Sequence, residues 1–81
     1  MFLMPTIECI NGIKINIYNG DHRPPHIHAV YNEFEALISV EDTKIIAGGL
    51  PVRQQRSVFK WLSENSDWVL NVFYELNPEL K

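Results

Sequence analysis

Hydrophobic and polar positions alternate through the first half of the chain and then recur at helical spacing. Ile13, Ile15 and Ile17 alternate with Lys14, Asn16 and Tyr18, a period of two that predicts a half-buried strand. "TIECI" precedes it across Asn11-Gly12, a two-residue hairpin signal because both residues tolerate positive φ. "NGDHRPP" is loop chemistry, after which "HIHAVY" and "FEALISV" read as two strands around Asn32-Glu33. "TKIIAG" follows a turn at Glu41-Asp42 as a short fifth strand, and Gly48-Gly49 ends the sheet. Pro51 suits the first turn of a helix running to about Glu64, with Val52, Val58, Phe59 and Leu62 as its apolar stripe. "ENSD" breaks the pattern, and Ser66 or Asp67 can cap a second helix from Trp68 to about Leu76, stopped by Pro78. "WVLNVFYEL" is also rich in β-branched and aromatic residues and has a competing reading as a strand. The expected fold is α+β. An antiparallel meander of four to five short strands (about 6–48) is covered on one face by two C-terminal helices (about 51–77), in a single domain spanning 1–81.

This pattern also sorts the histidines. With Asn32-Glu33 as a two-residue turn, Tyr31 faces Phe34, Ala29 faces Ala36 and Ile27 faces Ile38, all on one apolar side that should meet the helices. His26, His28 and Val30 then lie on the other side, opposite Ser39, Leu37 and Glu35. His26 and His28 are therefore expected side by side and exposed, away from the main core, with Asp21 and His22 just upstream.

Composition narrows the classes without choosing among them. The 81 residues are 46% hydrophobic and 21% charged, an ordinary globular balance. The net charge of −3 argues against a nucleic-acid coat protein but leaves room for a local basic patch. One cysteine, Cys9, allows neither an internal disulfide nor a cysteine zinc cluster. No apolar run approaches the ~20 residues of a membrane span. "MFLMPTIE" is too short and lacks the basic start of a signal peptide, so a reduced cytoplasmic protein is expected.

Three chemistries compete for the histidine run. His26 and His28 can chelate a divalent transition metal with Asp21 or His22 as a third ligand. The same histidines can perform metal-free acid–base work on a phosphodiester, with Arg23 stabilising the phosphate. Or Pro24-Pro25 stiffens the approach to the strand and the histidines only hydrogen-bond a turn or a partner. Arg53, Arg56 and Lys60 at i, i+3 and i+7 form a stripe that suits an RNA or DNA backbone, or simply a solvated helix face. The last helix has more apolar surface than one small core needs. Trp68, Val72, Phe73 and Leu76 are therefore expected to meet a second copy of the chain or a small protein partner, unless the segment is a central buried element.

Taken together, Met4-Pro5-Thr6-Ile7, the run from Asp21 to His28, Glu35-Ala36-Leu37-Ile38 and Gly48-Gly49-Leu50-Pro51-Val52-Arg53 resemble a family of small bacterial proteins known as a domain of unknown function. The likeness runs from Met4 through most of the chain and is weakest in the aromatic C-terminal tail. Met4 stands where the family's chains usually start, which would make Met1 to Leu3 an extension. The resemblance implies a component of a toxin–antitoxin-like gene module, with Asp21, His22, Arg23, His26, His28 and Arg53 as its functional patch and no established reaction. The resulting expectations are an interaction protein of such a module, a ribonuclease-like toxin using His26, His28, Arg23 and the Arg53 stripe, or a metal-binding module.

Overall fold

Asn11 and Gly12 adopt φ of 49° and 79°, the positive values that a tight hairpin turn requires, and Ile10 pairs with Ile13 across them. That turn joins β1 (Thr6–Ile10) to β2 (Ile13–Asn16) at the start of a five-stranded sheet. The sheet continues with β3 (His26–Tyr31), β4 (Phe34–Ser39) and β5 (Lys44–Gly48), every neighbour antiparallel and in chain order. This computed structural model describes residues 6–81. Met4-Pro5 of the opening motif and the proposed Met1 to Leu3 extension lie outside the described residues.

The expected register of β3 and β4 holds at every position, from His26 opposite Ser39 to Tyr31 opposite Phe34. It extends into β2, where Ile15 faces Ala29 and Asn16 faces His28. Ile13, Ile15, Ile17, Ile27, Ala29, Ala36 and Ile38 therefore share one side of the sheet, and all are fully buried with helix residues Val58, Leu62, Val69 and Phe73. Each buried side chain of this size contributes about 1.5–3 kcal/mol relative to exposure. This one apolar layer is what fixes the helix on the sheet.

The expected pair of helices is one helix, α1, running unbroken from Val52 to Leu76 with Pro51 at its N-cap. The reason lies in the phase of its apolar positions. Val58 and Leu62 are in register with Val69 and Phe73, so both halves bury the same side of one helix. "ENSD" holds neither proline nor glycine, and its residues cost little in a helix interior. Asn65 donates to the Trp61 carbonyl at 2.8 Å and accepts from Trp68 Nε1 at 2.7 Å, satisfying its side chain within the helix. The strand reading of 68–76 is likewise replaced by helix. Val52, expected in the apolar stripe, is 66% exposed. The helix stops at Asn77, and Pro78–Leu80 forms a short 3₁₀ turn.

The apolar excess of the last helix is partly absorbed by the core. Phe73 is fully buried and is no contact surface. Leu70, Val72, Tyr74 and Leu76 pack against the core while remaining half-exposed. Trp68 is 38% exposed, its ring edge-on to Trp61 at 5.8 Å. Gly48 is demanded by two constraints at the end of β5: its φ is 69°, and an added Cβ would lie 2.1 Å from the Glu35 carbonyl oxygen. Among the described residues no helix is long and apolar enough to cross a membrane.

Candidate functional site

The loop between β2 and β3 and the C-terminal end of α1 meet at one end of the sheet, and Asn77 joins them. Its side chain is fully buried and makes three hydrogen bonds. Oδ1 accepts the Asp21 backbone N–H at 2.8 Å, and Nδ2 donates to the Tyr18 carbonyl at 2.9 Å and the Phe73 carbonyl at 3.0 Å. This anchor delivers the Asp21 carboxylate to the first turn of β3. There, Asp21 Oδ2 lies 3.0 Å from His26 Nε2 and 3.1 Å from His28 Nε2. The other carboxylate oxygen accepts the His22 backbone N–H at 3.0 Å.

Strand alternation places the two histidine side chains on the same side of β3, their ring centroids 5.1 Å apart. They are not exposed as the strand pattern predicts. His26 is 4% exposed, its ring 5.9 Å from that of Phe73, and the His28 side chain is 14% exposed with Tyr18 edge-on at 4.4 Å. The chain folds its own loop and helix end over this corner of the sheet, and strand periodicity carries no information about such a covering.

Hydrogen-bond partners set the character of the ring nitrogens. His26 Nδ1 lies 2.7 Å from the Pro24 carbonyl oxygen. A carbonyl only accepts, so Nδ1 carries the proton and the Nε2 lone pair points into the cluster. His28 has a carboxylate on each ring nitrogen, Glu35 Oε2 at 3.1 Å from Nδ1 and Asp21 Oδ2 at 3.1 Å from Nε2. His26 Nε2 is buried and makes no hydrogen bond among the described residues, although Asp21 Oδ2 lies 3.0 Å away. One possible ligand atom from each of Asp21, His26 and His28 lies within 4.8 Å of the other two. A positive charge among them, a proton or a metal ion, is what such a grouping requires.

The Asp21 carboxyl reports the same environment. Burial raises its pKa, but the hydrogen bond with His28, the His22 N–H and the charges of His26 and His28 together outweigh burial. The net result lies below the ordinary value of 3.8.

The other expected site residues are not in this group. The His22 side chain is exposed and outside the cluster. The Arg23 guanidinium bonds the Leu80 carbonyl through Nε at 3.0 Å and also through an Nη, so it ties the loop to the chain's last turn. Arg53, Arg56 and Lys60 are exposed on the first half of α1. Lys60 lines a cavity of about 340 Å³ with Ile10, Asn11 and Trp61 at the β1–β2 hairpin. At 1.5 Å per residue Lys60 is about 25 Å along the helix from Asn77, so the basic stripe does not converge with the histidines.

Two members of the site escape the sequence reading. Glu35 is legible in principle: two residues before Leu37, the partner of His28, it is the diagonal cross-strand neighbour on the same face. Asn77 carries no such signal, since it reads only as the residue where a helix ends before a proline.

The fold and this corner together define a small α+β domain, a five-stranded meander under one long helix, with a clustered histidine–carboxylate group. A family model described as "Domain of unknown function (DUF4160)" matches residues 12–73, and the chain belongs to that family. The match includes Asp21, His26, His28 and Glu35 and ends before Asn77. Comparison with curated proteins and with solved structures gave no match.

Proposed function

We propose that the domain binds a divalent transition metal through His26 Nε2, His28 Nε2 and Asp21 Oδ2. The observation that carries this reading is the buried His26 Nε2, which makes no hydrogen bond and faces two further donor atoms. The spacing supports it. Ligands 2.0–2.2 Å from an ion sit roughly 2.8–3.1 Å from their neighbours at octahedral angles and roughly 3.3–3.6 Å at tetrahedral ones. The separations from Asp21 Oδ2 to the two ring nitrogens are 3.0 and 3.1 Å. The outer contacts fit as well, since metal-ligating histidines usually donate their second N–H to a carbonyl or carboxylate. Here those acceptors are Pro24 and Glu35. Two imidazoles and one carboxylate suit zinc, iron(II), cobalt or nickel better than the oxygen-preferring calcium or magnesium. Tag-free protein titrated with cobalt(II) should develop visible absorption at one equivalent, and His26→Ala and His28→Ala should not. No absorption and no thermal shift with cobalt, zinc or nickel would remove the reading.

A protein-interaction role in a toxin–antitoxin-like module is a second reading, supported by the exposed Trp68 and the half-buried Val72 and Leu76 that follow at four-residue steps along α1. Its occupant is a second copy of the chain or a small protein partner. Light scattering on wild type and Trp68→Ala decides it: a monomer in both, at all accessible concentrations and with the neighbouring gene product present, sinks it. A ribonuclease-like role draws support from the paired histidines alone, because Arg53, Arg56 and Lys60 stand at the far part of the helix and Arg23 is engaged with Leu80.

A further inference from the structure

The ligands of the proposed site come from two pieces of chain held together in an unequal way. His26 and His28 sit on β3, a central strand hydrogen-bonded on both sides. Asp21 sits in the β2–β3 loop, and its backbone is bonded to the Asn77 side chain, 56 residues downstream. Asn77 in turn begins the last turn of the chain. It bonds the Phe73 carbonyl through both its backbone N–H and its Nδ2, and its own carbonyl accepts the Leu80 N–H. Arg23, on the same loop, bonds the Leu80 carbonyl.

We infer that Asn77 is a positioning residue for the metal site, and that metal occupancy and the docking of the C-terminal turn (77–81) stabilise each other. The inference rests on the metal reading above. An ion bound to Asp21 and both histidines fixes the loop against the sheet. A fixed loop holds the Asp21 N–H and the Tyr18 carbonyl where Asn77 bonds them, which secures the end of α1. The coupling is reciprocal by thermodynamic linkage: whatever the ion does for the C-terminal turn, the docked turn does for ion affinity. The C-terminal turn is thereby a metal-responsive element, although it contributes no ligand.

Hydrogen exchange on the wild-type chain, with and without zinc, tests this without any mutation. Zinc is expected to slow exchange of the Asp21, Asn77, Leu80 and Lys81 amides, while Ile15 and Ala29 in the sheet centre change little. Asn77→Ala is expected to weaken cobalt(II) binding about 10- to 100-fold, the usual effect of removing a residue that orients a ligand. Its residual cobalt spectrum is expected to differ from wild type. Val69→Ala serves as the control, since Val69 is fully buried in the same helix and belongs to the core rather than the site. It should lower stability yet leave cobalt affinity within about twofold of wild type, as expected for a residue with no shared partners at the site. If cobalt binds and the C-terminal amides do not respond, the coupling is wrong while the metal site stands. If Val69→Ala loses as much affinity as Asn77→Ala, the Asn77 effect is general destabilisation and the positioning role is wrong. If cobalt does not bind the wild type, the metal reading itself falls and this inference falls with it.

Discussion

Two regions of this chain are rich in charged or titratable side chains, and they behave differently. The first half of α1 carries Arg53, Arg56 and Lys60, all exposed. The corner formed by the β2–β3 loop, β3 and Asn77 holds His26 Nε2 and His28 Nε2 at 3.0 and 3.1 Å from a single Asp21 carboxylate oxygen. Water solvates the helix cations individually, so nothing fixes their mutual geometry. The corner is largely shielded from water, so every polar atom there depends on a specific protein partner or on a bound ion. One atom, His26 Nε2, makes no hydrogen bond among the described residues. The contrast teaches that the density of chemistry-bearing residues is a poor guide to a site, and that burial with unmet bonding capacity is a better one.

The sharpest break between the two regions is expected in metal binding. His26→Ala or His28→Ala should weaken cobalt(II) affinity by more than about 100-fold, because each removes one of three ligands. The combined Arg53→Ala, Arg56→Ala and Lys60→Ala variant should bind as wild type does. Cobalt absorption titrations measure both, and a loss of affinity in the triple variant would erase the distinction.

Stability should separate the regions next. Asn77→Ala deletes three side-chain hydrogen bonds in a fully buried place and strands their partners, for a cost of about 2–3 kcal/mol in metal-free protein. Lys60→Ala should stay within about 0.5 kcal/mol. Urea midpoints at constant m-value report the difference, and equal midpoints would contradict the wiring of loop to helix end.

Glu35→Gln should give a smaller effect. The amide oxygen still accepts from His28 Nδ1, but the negative charge that makes the imidazole a better donor to a metal is gone. A loss of about tenfold in cobalt affinity is expected, equivalent to about 1.4 kcal/mol. The Glu35→Ala variant should lose more than Glu35→Gln. If the two match wild type, Glu35 does not orient His28.

The smallest effect is in acid. The fold lowers the Asp21 pKa below 3.8, so the unfolded chain binds this proton more readily than the folded one. The contribution is complete above the unfolded value and disappears as pH falls through the folded one. Metal-free Asp21→Asn should therefore lose part of the acid dependence of stability below about pH 4. Urea denaturation at a series of pH values checks this, and an unchanged acid limb in the variant would show that Asp21 does not carry it.

How much of this was legible follows from the range of the interactions involved. Alternation of Ile13, Ile15 and Ile17 and the turn residues Asn11-Gly12 and Asn32 gave strands, register and the buried face, because these are local effects with a period of two. The same alternation placed His26 and His28 together, with Asp21 and His22 just upstream as candidates for a third ligand. The continuity of α1 was also within reach, since Val58, Leu62, Val69 and Phe73 keep one phase across "ENSD", but cap-forming residues obscured it. The exposed state assigned to the histidines and the contact role assigned to Phe73 came out otherwise because both depend on what lies over a surface.

Hydrophobic period and turn chemistry, then, by themselves determined an α+β meander with a helical cover and a histidine pair on one side of β3. Only the tertiary structure decided that Asp21 reaches those histidines, that Glu35 and Pro24 orient their rings, and that Asn77 holds the loop from the far end of the chain. The physical reason is distance along the chain. Backbone propensities and side-chain periods act over a few residues. The contact between Asp21 and Asn77 spans 56 of them. It exists only because a shared apolar layer has already brought the end of the helix onto the open corner of the sheet.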